Sequence, residues 1–245
     1  MNPTNNYKLI IQYDGTDYAG WQYQENAVTI QQKIVEAIKT LINENVNLIG
    51  SGRTDAGVHA LGQVANFKSQ QKMDLYKFKY SLNSILPKDI SIIDIEKVQQ
   101  EFHSRYDAKK RSYLYVISKN KSPFYDRFSY LYHSTLNCDI LNTISRSFIG
   151  EHDFTSFCKK NTGTENKVCN IYDAHWKETG GLIFFLIEAD RFLHGMVRTI
   201  VGTILFAAKN NFDNKFVHEI LRAKDREAAG ESVPAKGLFL YKVKY

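Results

Sequence analysis

Apolar and polar positions alternate along this chain with two different periods. YKLIIQYD (7–14) has the length and content of a strand. From Thr29 the period lengthens: Ile30, Ile34, Ile38 and Leu41 fall on one helical face, and Thr29 is a suitable N-cap. NLIGS and GQVANF read as strands on either side of a short polar stretch. LYKFKYSLNSIL sets Leu75, Phe78, Leu82 and Ile85 in helical register until Pro87 ends it, and ISIIDIEKV reads as a strand. The order is strand, helix, strand, strand, helix, strand.

The second half repeats that order. RSYLYVIS (111–118) sets Tyr113, Tyr115 and Ile117 against Leu114 and Val116. DILNTISRSFIG reads as a short helix. NIYDAHW and LIFFLIEA read as strands joined by the ETGG turn. HGMVRTIVGTILFAAK is the most apolar helix, NKFVHEILRA a shorter one, and GLFLYKVKY a closing strand. Two split βαβ patterns predict an α+β protein of two related halves that share one antiparallel sheet, with a cleft between them. The charged stretch EFHSRYDAKKR sets the division at residues 1–105 and 106–245.

Composition narrows the class. The 245 residues are 43% hydrophobic and 24% charged, an ordinary globular mixture able to bury a core. The net charge of +6, with 15 Tyr and 15 Phe, suits a surface that neutralises phosphates and stacks bases. The three cysteines, Cys138, Cys158 and Cys169, form no Cys-x-x-Cys pair and read as reduced thiols of a cytoplasmic protein. MNPTNNYKLI lacks the charged head and apolar core of a secretion signal, and no apolar run approaches membrane-spanning length, so no membrane partner is expected.

The polar stretch between the NLIGS and GQVANF strands is SGRTDAGVHA (51–60). Asp55, on a loop flanked by Gly52 and Gly57, has the short carboxylate side chain of a nucleophile or base. Arg53, two residues earlier, is suited to holding Asp55 charged or to reaching a phosphate. A plain turn would use the same residue types. Arg198 stands in the first turn of its helix, where the macrodipole disfavours a cation; it reads either as a solvated arginine or as half of an ion pair with a carboxylate such as Asp55. Tyr113 reads either as a half-buried strand tyrosine or as a platform for a base, with Lys109, Lys110 and Arg111 holding phosphates. Other chemistry finds less support. His152 and Asp153 lack a second histidine at metal-ligand spacing, Ser51 and His59 lack a third orienting group, and GSGRTDAG lacks the Gly-Lys-Ser/Thr of a P-loop.

SGRTDAGVHALGQVANF resembles the central motif of the tRNA pseudouridine synthase A family. The resemblance continues through YDGTDYAGWQYQ (13–24), FHSRYDAKKRSYLY (102–115), GEHDFTSF (150–157), FLHGMVRTIVGTIL (192–205) and VPAKGLFL (233–240), in family order. It implies an isomerase that converts uridine to pseudouridine at positions 38 to 40 in the anticodon stem-loop of tRNA. It also implies an RNA cleft between the two halves, a homodimer, and no cofactor or metal. On the matching residues, Asp55 becomes the catalytic group, Tyr113 the residue stacked on the target uracil, Arg198 the partner of the aspartate, and Arg53 a residue that draws in the flipped nucleotide. The alternative is a non-catalytic tRNA-binding or folding protein that keeps the cleft. The chain departs from the pattern at Cys169 and Asn170, near where many members carry arginine, at Arg191, where asparagine is frequent, and at Val233, where alanine is common.

Overall fold

The computed structural model describes residues 4–160, 163 and 165–245, so the first three residues of the opening stretch lie outside the described residues. Two compact units are present: Met1–Lys109 with Leu240–Tyr245, and Lys110–Phe239. The α+β reading holds in each.

The first unit contains β1 (Asn5–Tyr13), α1 (Ile30–Ile42), β2 (Ile49–Gly50), β3 (His59–Ser69), α2 (Leu75–Ile85) and β4 (Ile90–Val98). β1 lies antiparallel between β3 and β4, with Leu9 opposite both Ala65 and Ile95. Its inward residues Tyr7, Leu9, Ile11 and Tyr13 are buried, which is the period-two pattern of the sequence made physical. α1 turns Ile30, Ile34, Ala37, Ile38 and Ile42 inward; Thr29 caps it by accepting from the Gln32 N–H, and Asn43 closes it in the left-handed region at φ 53°. α2 buries only Phe78 and Leu82. Ile85, expected on the same stripe, is exposed at the helix's last turn.

The second unit contains β5 (Lys110–Ser118), β6 (Tyr130–Leu131), α3 (Cys138–Ser145), β7 (Gly150–Asp153), β8 (Val168–Thr179), β9 (Leu182–Ala189), α4 (Met196–Lys209) and α5 (Asn214–Ala223). β9 pairs antiparallel with β5 and β8, and β7 extends the order on the far side of β8. Gly180 and Gly181 make the β8–β9 turn with φ of 60° and 78°, as the ETGG turn requires. α4 is the best-buried helix, and Phe148, Phe154 and Phe157 pack beside one another in the same core. β10 (Leu238–Lys244) closes the chain; from Leu240 on its residues belong to the first unit, next to β3.

Candidate active site

The loop that carries Arg53 and Asp55 is fastened at the residue between them. Thr54 is buried, its Oγ1 lies 2.8 Å from the Tyr13 hydroxyl, and its carbonyl accepts from the Trp21 N–H at 3.1 Å. With Thr54 turned inward, its neighbours turn outward: Arg53 is exposed and Asp55 half-buried. The Asp55 carbonyl accepts from the Val58 N–H at 3.1 Å, closing a turn in which Gly57 takes φ 74°. That spacing answers why a cation and a carboxylate stand two residues apart. They flank one buried anchor.

The chain from Asp14 to Trp21 presses against this loop. A Cβ on Gly20, where φ is 93°, would stand 2.5 Å from the Thr54 carbonyl oxygen, and one on Gly15 would stand 2.0 Å from that of Val58. The Gly20 and Trp21 carbonyls in turn accept from the Ile30 and Gln31 N–H groups, satisfying the open end of α1. At the loop's base the Ser51 hydroxyl donates to Gln63 Oε1 at 2.7 Å, and Gln63 Nε2 donates to the Gly52 carbonyl at 2.8 Å.

His59 has an orienting group that its sequence neighbours do not reveal. Its ring is buried with Nδ1 3.0 Å from Asp14 Oδ1, within 3.1 Å of the Gly15 N–H. A proton on Nδ1 serves the carboxylate; without it, the Gly15 N–H donates to the ring. The hydrolase alternative gains nothing from this, because the Ser51 hydroxyl serves Gln63.

β5 of the second unit carries Lys110, Arg111 and Tyr113, while Lys109 precedes the strand and belongs to the first unit. Lys109 is exposed. Lys110 is half-buried, paired to Glu188 at 3.2 Å and lying 4.2 Å from the Tyr172 ring centre. Glu188 also accepts from the Ser112 hydroxyl at 2.9 Å, and Arg111 donates to the Asp190 carbonyl at 3.0 Å. Tyr113 is buried, with its ring 5.1 Å from Phe192 in an edge-on contact. Arg198 lies in the first turn of α4, as its sequence position predicts; it is half-buried, and its Nε donates to the Val233 carbonyl at 2.7 Å. Nothing in the sequence pattern pairs Glu188 with Lys110, Phe192 with Tyr113 or Val233 with Arg198, since each partner is distant along the chain.

His152 and Asp153 share a surface hollow with His218, but the Lys224 ammonium stands 2.8 Å from the Asp153 carboxylate. Among the described residues no three His, Cys, Asp or Glu side chains come together as a metal site. The cysteines are free thiols, and burial pushes Cys169 up to about 12, with Arg191 pulling the other way.

A family model described as tRNA pseudouridine synthase matches residues 9–107 and 144–245. The chain belongs to this family. The protein named tRNA pseudouridine synthase A from Thermoanaerobacter sp. (strain X514) is 41% identical over 242 residues, covering 98% of this chain and 99% of that one. Its namesake from Caldicellulosiruptor saccharolyticus is 44% identical over the same shares of the two chains. tRNA pseudouridine synthase A 1 of Protochlamydia amoebophila is 44% identical, covering 98% of this chain and 96% of its own. Asp55 is the half-buried carboxylate of a loop held from beneath by Thr54 and from the side by Gly20.

Proposed function

We propose that this protein isomerises uridine to pseudouridine at positions 38 to 40 in the anticodon stem-loop of tRNA, with Asp55 acting at the glycosidic bond. The observation that carries this reading is the loop anchored at Thr54, which presents Arg53 and Asp55 on either side of one fixed point. A target base inside a helical stem must leave its stack before any side chain can reach it. Arg53 serves the polyanion and Asp55 the bond. Asp55 either attacks C1′ or takes a ribose proton. The N1–C1′ bond breaks, the uracil turns, and a C5–C1′ bond forms. As the C5–C1′ bond forms, Asp55 leaves C1′ or returns the ribose proton; the C5 proton then leaves to a base, for which the Tyr113 hydroxyl is the candidate, and N1 takes up a proton, so substrate and product have the same atoms. In this reading Arg198 is the partner of the aspartate, and Tyr113 stacks on the uracil.

The RNA surface in this reading includes Lys109, Lys110 and Arg111. The protein acts as a homodimer in the cytoplasm and uses no cofactor. Among the described residues no helix is long and apolar enough to cross a membrane. A non-catalytic tRNA-binding protein would have no use for Asp55, Tyr113 and Arg198 all in place, which favours the enzyme. The test is position-resolved mapping of pseudouridine in tRNA from cells with and without this protein, joined to the Asp55→Asn variant in vitro. Asparagine keeps the size and turn-forming character but removes the charge, so turnover falls on the order of a thousandfold or more while tRNA binding survives. A tenth of normal activity in Asp55→Asn would remove Asp55 from the chemistry.

A further inference from the structure

One segment of the second unit, residues 229–236, runs back along α4 and grips Arg198 through its main chain. The Val233 N–H donates to the Arg198 carbonyl at 3.2 Å, and the Val233 carbonyl accepts from Arg198 Nε at 2.7 Å. Other bonds fasten the same strap. The Gly230 N–H donates to Thr203 Oγ1 at 3.0 Å, and the Thr199 and Ser232 hydroxyls lie 2.9 Å apart. Arg226 Nη1 donates to the Gly230 carbonyl at 3.1 Å, and the buried Tyr115 hydroxyl donates to the Pro234 carbonyl at 2.8 Å. Burial lifts the Tyr115 phenol well above its ordinary range, with the charge of Arg198 pulling it down, so it stays a donor at any working pH.

The approach is backbone to backbone. A Cβ on Gly202 would stand 1.8 Å from the Glu231 carbonyl oxygen, and one on Gly230 would stand 2.9 Å from the Thr203 backbone. The strap therefore has one register on the helix. A guanidinium is planar, with its five N–H groups in a fixed fork. Tying Nε–H to a fixed carbonyl sets the plane of that fork, and with it the direction of the two terminal nitrogens. An arginine without such a tie loses rotamer freedom whenever it pairs.

We propose that the 229–236 strap is a positioning element for Arg198, with Gly202 allowing its close approach and Tyr115, Thr199, Thr203 and Arg226 holding it, so that the guanidinium meets its carboxylate already oriented. This rests on the reading of Arg198 as the partner of Asp55. The strap residues act through Arg198, not on the substrate.

The experiment is steady-state kinetics on tRNA for Gly202→Ala, Arg226→Gln, Arg198→Lys and the doubles of each strap variant with Arg198→Lys. In Gly202→Ala the methyl displaces the strap, and kcat falls on the order of a hundredfold, as misplacement by about an ångström does. KM for tRNA stays within about twofold, because binding does not run through the strap. Arg226→Gln loosens the strap without crowding it and gives a smaller loss of the same kind. In the doubles the strap variants add nothing to the loss that Arg198→Lys already causes. The Arg198 Nε–H resonance in nitrogen–proton spectra shifts in both strap variants. If Gly202→Ala does not fold, Arg226→Gln and its double carry the same test. Losses that multiply in the doubles, or folded strap variants with normal kcat beside an impaired Arg198→Lys, would overturn the strap proposal and leave the reading of Arg198 standing. A fully active Arg198→Lys would instead overturn that reading, and the strap proposal with it.

Discussion

Gly20→Ala tests whether the Asp55 loop is held by close backbone approach. The added Cβ would stand 2.5 Å from the Thr54 carbonyl oxygen and 3.1 Å from the Asp55 carbonyl carbon. Real Cβ atoms keep at least 3.0 Å from such neighbours and mostly 3.4 Å, so the loop must retreat by roughly half an ångström to nearly one. The residue also sits at φ 93°, where alanine is strained by about 1–3 kcal/mol. A shift of this size at a reacting group costs on the order of tenfold to a hundredfold in rate. The loss falls mainly on kcat, because Lys109, Lys110 and Arg111 of the proposed RNA surface stay in place while Asp55 and Arg53 move with the loop. Pseudouridine formation removes the C5 hydrogen, so tritium release from C5-labelled tRNA reports turnover directly. Gly180→Ala is the control: it has the same kind of backbone strain at φ 60°, with nothing within 4 Å of the new Cβ. It should lose stability and keep kcat. A Gly20→Ala enzyme with normal kcat, or one whose loss Gly180→Ala reproduces, would show that Asp55 does not depend on this close approach.

Tyr113 has two proposed tasks, which substitutions separate: Tyr113→Phe keeps a stacking face worth about 1–3 kcal/mol but lacks the hydroxyl, so tRNA binding is preserved and turnover strongly reduced, whereas Tyr113→Leu loses both. A fully active phenylalanine variant would retire the proton-transfer role. Neutralising Lys109, which is exposed, flattens the log–log dependence of tRNA affinity on salt by about 1 for each phosphate the side chain no longer neutralises. Neutralising Lys110 changes the slope less, because Glu188 already holds its charge at 3.2 Å; equal slopes for the two variants would contradict this ranking. Tyr13→Phe leaves the Thr54 hydroxyl without its 2.8 Å partner and lowers stability by about 1–3 kcal/mol in denaturant unfolding.

The elements with strong periodicity are legible in the sequence. α1 begins and ends where its apolar face and Thr29 place it, and α4 follows its apolar run. β7 is not, because GEHDF holds four residues of strand opening on a glycine at φ 104°, too short to show a period. Ile85 misleads because helical register does not say where the covering surface stops. The basic run looks like one surface in the sequence; Lys110 and Glu188 lie 78 positions apart, and no local pattern records that pair. On physical grounds alone Asp55 is one candidate turn residue among several. The family resemblance singles it out; the structure adds that its loop is anchored at Thr54.

In both units the side chains proposed for the chemistry are set by main chain against glycine, not by polar side chains alone. Gly20 lets the chain lie against Thr54 and Asp55; Gly202 lets the strap lie against α4 and take Arg198. The two kinds of support fail differently. A single side-chain hydrogen bond contributes about 1 kcal/mol net, and its loss leaves the backbone where the other interactions hold it. A Cβ placed at 1.8 or 2.5 Å from a carbonyl oxygen cannot be tolerated without moving that backbone, however stable the rest of the unit is. Tyr13→Phe should therefore be the more evenly spread injury, read in stability, while Gly20→Ala and Gly202→Ala should be read mainly in turnover. The same argument explains why composition and periodicity pass over these positions. A glycine has no side chain to announce a partner, and its role lies in the chain that comes to rest beside it.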